Sequence, residues 1–183
     1  AAAAILVAAM GAGVTGAKLF VPKVENRSED GDFNTTIING ETKEDRDISE
    51  EEVYQEIEDK IGIQALRLSE KPEDMVLEKV YIDDAGMSEA QMEFSYNGNV
   101  LTVYENKQSA DAIFDTKVDG EYIDTVEAFY SGINIDIVQT NRGDGVDFYG
   151  AQIEYGNAYY YINGNLELNI FEEILKGILF ENV

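Results

Sequence analysis

Cysteine and histidine are both absent from this chain of 183 residues. Without cysteine the chain cannot form disulfides, thiolate metal sites or cysteine nucleophiles, and it offers no cysteine for lipid attachment. Without histidine it lacks the commonest general base and a usual zinc ligand. Any catalysis would depend on carboxylates, hydroxyls, lysines and tyrosines, and we predict no catalytic, cofactor-binding or metal-ligating residue.

Basic residues are scarce, because 13 Lys and Arg stand against 37 Asp and Glu, giving a formal net charge of −24. This charge repels phosphate backbones and anionic lipid headgroups alike. We therefore predict that the protein does not bind nucleic acid. Acidic surface charge also favours solubility, so it does not by itself define a ligand.

The N-terminal segment carries little charge: Ala1–Ala17 has none, and Lys18 is the first charged residue. As a helix this run would be about 26 Å long, slightly less than the roughly 30 Å hydrocarbon core of a bilayer. We interpret residues 1–21 as a transmembrane or signal-like segment, with a buried alanine-rich helix as the alternative. A retained span would make this a single-pass membrane protein whose acidic main domain is extracytoplasmic.

Glycines within this segment match the dinucleotide-binding pattern G-x-G-x-x-G, from Gly11 to Gly16. That motif requires a crossover helix directly after the glycine turn, and Pro22 would interrupt such a helix early. The later sequence shows no alternation of strands and helices. We therefore predict no nucleotide cofactor.

Polar and charged side chains dominate residues 22–47, which we interpret as a linker to a domain at residues 48–183. Asp30 and Asp32 flank Gly31 as in some calcium loops, but the pattern is not completed. A solvated loop is the better interpretation.

An amphipathic helix is predicted to follow Ser49 and to end at Gly62. Ser49 is a favourable N-cap residue, Glu52 occupies the capping-box position, and glycine is the commonest residue at a helix C-terminus. The apolar stripe of this helix consists of Val53, Ile57 and Ile61. Such a helix covers a core.

From Met75 onwards apolar and polar residues alternate, which is the period of a β-strand. The Asn97-Gly98 pair indicates a tight hairpin turn, so we expect antiparallel pairing. The predicted strands are Met75–Ile82, Gln91–Tyr96, Val100–Tyr104, Thr125–Tyr130, Ile133–Thr140, Val146–Tyr155 and Ala158–Ile162.

A closing helix is predicted after the last strand, with Asn169 as its N-cap. Its apolar stripe is formed by Ile170, Phe171, Ile174, Leu175, Ile178 and Leu179. These patterns predict an α+β domain, an antiparallel meander sheet of about six to seven strands with an N-terminal and a C-terminal helix packed on it.

The aromatic strand NAYYYINGN and the closing helix NIFEEILKGIL, together with the features above, resemble an uncharacterised extracytoplasmic family, domain of unknown function 4367. The resemblance covers roughly Leu66 to Leu179. It implies a Gram-positive bacterial protein with a single transmembrane helix, similar to anti-sigma factors, and it supplies no catalytic residue.

Three tyrosines form the candidate binding surface: Tyr155, Tyr159 and Tyr161. By strand alternation Tyr159 and Tyr161 share a face opposite Tyr160. Our first hypothesis is a non-catalytic sensory or binding domain for an envelope ligand or protein of unknown identity. The alternatives are a carboxylate-dependent hydrolase of the cell envelope and a structural surface protein.

Overall fold

The computed structural model describes residues 5–7, 23–27, 33–37, 41–43, 49–83, 88–107, 120–141 and 146–181, the first four ranges by their backbone pairing. Its two helices are α1 (Glu50–Ile61) and α2 (Leu168–Lys176). Its strands are β1 (Ile5–Val7), β2 (Lys23–Arg27), β3 (Phe33–Ile37), β4 (Glu41–Lys43), β5 (Arg67–Leu68), β6 (Val76–Asp83), β7 (Glu89–Tyr96), β8 (Asn99–Lys107), β9 (Glu121–Glu127), β10 (Asn134–Asn141), β11 (Asp147–Tyr155), β12 (Ala158–Gly164) and β13 (Ile178–Leu179).

Strands β6 to β12 form one antiparallel sheet, with the short strand β4 added at one edge in the order β4-β6-β7-β8-β12-β11-β10-β9. Every neighbouring pair is antiparallel. This confirms the predicted α+β class, the antiparallel sheet and the two helices. The sheet consists of two meanders, β6-β7-β8 and β9-β10-β11-β12, which meet where β8 pairs with β12.

One face of the sheet and both helices contribute to a single hydrophobic cluster. Met92 and Phe94 of β7 face this cluster, as do Val103 of β8 and Ile162 of β12, all fully buried. Helix α1 adds Val53, Tyr54, Ile57 and Ile61, and helix α2 adds Phe171, Ile174 and Leu175. We call this the apolar face.

The predicted ends of α1 are confirmed. The hydroxyl of Ser49 accepts a hydrogen bond from the backbone N–H of Glu52 at 3.5 Å. Gly62 closes the helix in the left-handed conformation, with φ of 71°, and its N–H donates to the carbonyl of Glu58. Local sequence signals therefore determine both ends.

The predicted ends of α2 are wrong. Glu167 rather than Asn169 is the N-cap residue, and the helix stops at Lys176, so that Ile178 and Leu179 lie in β13. β13 pairs with β5, and both the N–H and the hydroxyl of Ser69 donate to the Gly177 carbonyl. The backbone at Gly177 lies so close to Glu70 that a Cβ there would overlap it. Pairing with a distant strand, rather than a local signal, ends this helix.

The predicted strand Thr125–Tyr130 is displaced, since β9 covers Glu121–Glu127. The chain leaves the strand at Ala128, whose N–H donates to the carbonyl of Ile133 across a turn. Phe129 and Tyr130 therefore lie in the turn. Other predicted strands agree with the structure to within a few residues at each end.

Towards the N-terminus, β1, β2 and β3 form a separate three-stranded antiparallel sheet. Ile5–Val7 belongs to the predicted membrane segment, whereas β2, β3 and β4 fall within the predicted linker. The rest of the predicted membrane segment lies outside the described residues, as does the Asp30–Asp32 loop. In the described ranges, no helix has both the length and the apolar character needed to cross a membrane.

Candidate functional site: the polar face of the sheet

The second face of the sheet is polar yet largely buried. Residues directly opposite each other in antiparallel strands point to the same face, so the pairing registers define its members. We call the following set the polar face: Tyr81, Asp83, Glu89, Gln91, Glu93, Thr102, Tyr104, Asn106, Tyr159, Tyr161 and Asn163. All of them except Tyr159 and Tyr161 are buried. Such burial distinguishes this surface from the solvated face that antiparallel sheets commonly present to water.

The polar face is arranged in rows that run across the strands. In one row, Tyr81 of β6 lies opposite Gln91 of β7, which lies opposite Tyr104 of β8, and Tyr104 lies opposite Tyr161 of β12. This row results from the alternation in β7, where every second residue is polar.

The neighbouring row consists of Asp83, Glu89, Asn106 and Tyr159. It brings two carboxyl groups, from β6 and β7, directly opposite each other. The two rows together place acids, amides and phenols side by side on four strands.

A hydrogen bond from the Tyr104 hydroxyl to Glu89 Oε2 links the two rows. The Asn106 side-chain amide in turn donates to the Tyr104 hydroxyl at 3.5 Å. Burial raises the pKa of Glu89, the hydrogen bond from Tyr104 lowers it in part, and the charge of Asp83 raises it further. Burial also raises the pKa of Tyr81 to about 12, with Asp83 and Glu89 contributing. The Tyr81 phenol therefore stays protonated at neutral pH and can donate a hydrogen bond.

Several buried polar atoms on this face have no hydrogen-bond partner within the part of the chain that the structure describes. They are the Tyr81 hydroxyl, Glu89 Oε1, Gln91 Oε1 and both side-chain polar atoms of Asn163. A buried polar atom without a partner costs about 1–3 kcal/mol. Their concentration on one face leaves hydrogen-bonding capacity that ordered water or a bound group could satisfy.

The structure brings together two of the three predicted tyrosines. Tyr159 and Tyr161 lie on the polar face and are partly exposed. Tyr155 lies on the apolar face instead, because it pairs with Ala158 and its ring stacks on Phe180 with centroids 4.2 Å apart. Tyr160 is buried on that same apolar face and donates to the carbonyl of Gln64 at 2.6 Å.

Sequence reasoning missed the central residues of this face, such as Glu89, Gln91 and Tyr104. In an amphipathic strand such residues normally point to solvent, so their spacing gave no signal of burial. That they share a face of the sheet with Tyr159 and Tyr161 depends on the registers of the β7-β8 and β8-β12 pairs, which the sequence does not reveal.

A fully buried carboxyl group also lies on the apolar face: Glu105, between Ala90 and Tyr160. Its Oε1 accepts from the Leu66 N–H at 3.1 Å, and its Oε2 has no partner among the described residues. Burial raises the pKa of Glu105 to about 8, which the Leu66 hydrogen bond lowers in part; Glu58 raises it and Arg67 lowers it. Arg67 itself forms a 2.7 Å ion pair with Glu58. This group tethers the segment after α1 to the sheet.

The polar face presents two opposed carboxyl groups, amides and phenols. Asp83 and Glu89 are directly opposed, but their exposed fractions are 6% and 1%, so a glycan ring cannot reach both, whereas the end of a single extended side chain needs less room. Among the described residues, no group of three or more acidic side chains could hold a metal ion. What the face offers is mainly acceptor oxygens beside phenol rings.

The fold and this face together define an α+β domain with helices on one side of an antiparallel sheet and a buried polar network on the other. Residues 65–178, more than half of the chain, match the family described as Domain of unknown function (DUF4367). The chain belongs to this family. The matched residues agree closely with the range of about Leu66 to Leu179 over which the sequence resembles it. Comparison with curated proteins and with solved structures found no match.

Proposed function

We propose that this chain is a non-catalytic sensory or binding domain of a membrane-anchored bacterial protein, related to the anti-sigma factors of Gram-positive bacteria. In this proposal residues 1–21 anchor the protein, the main domain is extracytoplasmic, and the polar face binds an envelope ligand or partner protein. The observation that carries the binding role is the group of buried polar atoms without partners on that face.

The composition of the polar face supports a ligand rich in N–H or O–H donors. Three of the five atoms without partners, on Glu89, Gln91 and Asn163, are acceptor oxygens, and the Asp83 carboxyl lies opposite Glu89. Among the described residues on this side of the sheet, the basic side chain is Lys79, and it forms a 2.7 Å ion pair with Glu93. Tyr159 and Tyr161 add ring faces at the exposed margin, which suits ammonium or guanidinium groups.

The N-terminal sequence supports the proposed location. An uncharged alanine-rich run before an acidic domain is typical of a span or signal, and the family resemblance carries the same implication.

Binding is tested with trilysine as the probe and triglutamate as its charge-reversed control, by calorimetry on the full chain. We expect trilysine alone to bind, and Gln91→Met to weaken it about ten-fold, since one acceptor is lost. Gln55→Met, an equivalent change on the exposed surface of α1, is the matched control. Equal binding by both variants would exclude the polar face as the site.

Location is tested separately by cysteine labelling, which is specific here because this chain contains no cysteine of its own. Gln55→Cys introduces a single exposed thiol, which a membrane-impermeant maleimide should label in intact cells. Labelling only after cell lysis would contradict the extracytoplasmic placement.

A further inference from the structure

The loop between β9 and β10 exposes two neighbouring aromatic side chains. Phe129 is 67% exposed and Tyr130 is 55% exposed. Large apolar side chains in adjacent positions on a surface are uncommon without a partner, whereas single ones are ordinary. We call residues 128–133 the aromatic loop.

Hydrogen bonds hold the aromatic loop in one conformation. The Ala128 N–H donates to the Ile133 carbonyl at 2.9 Å, and the Gly132 N–H donates to the Ala128 carbonyl at 2.8 Å. Gly132 has a positive φ of 66°, which favours glycine.

Two further bonds tie the loop to its surroundings. The Phe129 N–H donates to the Lys176 carbonyl at the end of α2, at 2.8 Å, and the Tyr130 hydroxyl donates to Glu70 at 2.9 Å. Rings presented on a fixed backbone lose little conformational entropy on binding.

Two carboxylates lie close to the loop, and two more lie on α2, whose last residue bonds to the loop backbone. Glu70 bonds Tyr130, and a Cβ at Gly132 would lie 3.9 Å from Glu127 Oε1. On the α2 side, Glu173 and Glu172 lie 2.9 and 3.9 Å from the Lys176 ammonium. That ammonium is already engaged by these two acids, so the rim of the loop is acidic.

We propose that the aromatic loop is a docking site for a partner protein that offers an apolar pocket rimmed by lysine and arginine. The two rings supply the kind of anchor that dominates binding energy in protein interfaces, and the carboxylates supply charge complementarity. A second copy of this chain would present the same acids, and anionic lipid headgroups would be repelled by them. The loop lies outside the polar face, so this proposal does not depend on ligand binding there.

The test places the photocrosslinking residue p-benzoylphenylalanine at position 129 of the full-length protein in an unfractionated lysate of its native host, membranes included. Position 76 is the matched control, since Val76 is 45% exposed on β6, near the opposite edge of the sheet. We expect a discrete protein adduct from position 129 and none from position 76. Its yield should fall about ten-fold when salt rises from about 0.05 to about 0.5 M, because complementary charges are screened.

Charge reversal on the rim provides the second arm. The double variant Glu127→Lys and Glu173→Lys changes two exposed side chains and should reduce the adduct about ten-fold while leaving the unfolding midpoint almost unchanged. An adduct that ignores salt and charge reversal, an adduct with lipid or with a second copy alone, or no adduct at position 129 would each overturn the proposal.

Discussion

The two faces of the sheet differ in how their side chains are satisfied. The apolar face is closed by α1 and α2 and, apart from the Glu105 carboxyl, is made of packed apolar side chains, whereas the polar face is buried and keeps several acceptor and donor atoms without partners among the described residues. Packing of apolar side chains stabilises the apolar face. The polar face retains atoms that could form further hydrogen bonds. In natural proteins such groups usually bond to ordered water or an ion, or they mark a functional site.

Phe171→Ala should give the largest effect, because it empties the centre of the apolar face. Phe171 is fully buried and its ring centroid lies 6.0 Å from that of Tyr149. We expect the free energy of unfolding to fall by about 4 kcal/mol, the usual cost of a large cavity. Urea unfolding followed by circular dichroism measures it. A loss below about 1 kcal/mol would mean that α2 is not part of the core.

Glu105→Gln tests the fully buried carboxyl group on the apolar face. Its pKa of about 8 in the folded state lies above the unfolded value, so the folded state binds more protons and stability falls as pH rises from about 4.5 to about 8. Glutamine keeps an acceptor for the Leu66 N–H without a charge. We expect the variant to be about 4 kcal/mol more stable at pH 8 and about equal at pH 4.

The measurement is urea unfolding of both proteins across this pH range. Glu154→Gln, on an exposed acid of β11, is the control and should leave the slope with pH almost unchanged. Parallel pH profiles for wild type and Glu105→Gln would show that Glu105 is not protonated in the folded state.

A pair of adjacent substitutions in β7 compares the faces directly. Met92→Gln puts an amide without partners on the apolar face and should cost about 2 kcal/mol, whereas Gln91→Met removes an acceptor without a partner and should stabilise by about 1 kcal/mol. Chemical unfolding of both variants measures the two signs. Destabilisation by both would remove the proposed difference between the faces.

Ser49→Ala should give the smallest effect. It removes the N-cap bond to Glu52 of the helix that covers the apolar face, a bond that is long at 3.5 Å. We expect a loss of about 0.5 kcal/mol, and Ser49→Asp should restore it, because aspartate also caps helix N-termini. Thermal unfolding resolves such a difference. A loss above about 2 kcal/mol would indicate a further role for the hydroxyl.

Local signals predicted the fold better than the site. The ends of α1 and the Asn97-Gly98 turn follow from single residues, and alternation locates the strands. The end of α2 depends on pairing between β13 and β5, which are distant in sequence. The same limit applies to the site, since the burial of Gln91 and the separation of Tyr155 from Tyr159 depend on which strands are neighbours.

The pairing of β8 with β12 has a consequence for how the chain acquires its structure. Each of the two meanders consists of sequence-local hairpins that can close quickly, while their junction must bring together strands far apart in the chain and pays the larger loop-closure entropy. The junction should therefore form last. A chain cut between Lys107 and Gly120 would separate the two sequence-local units, and the seven-residue pairing at the junction would be the interface along which the fragments reassociate.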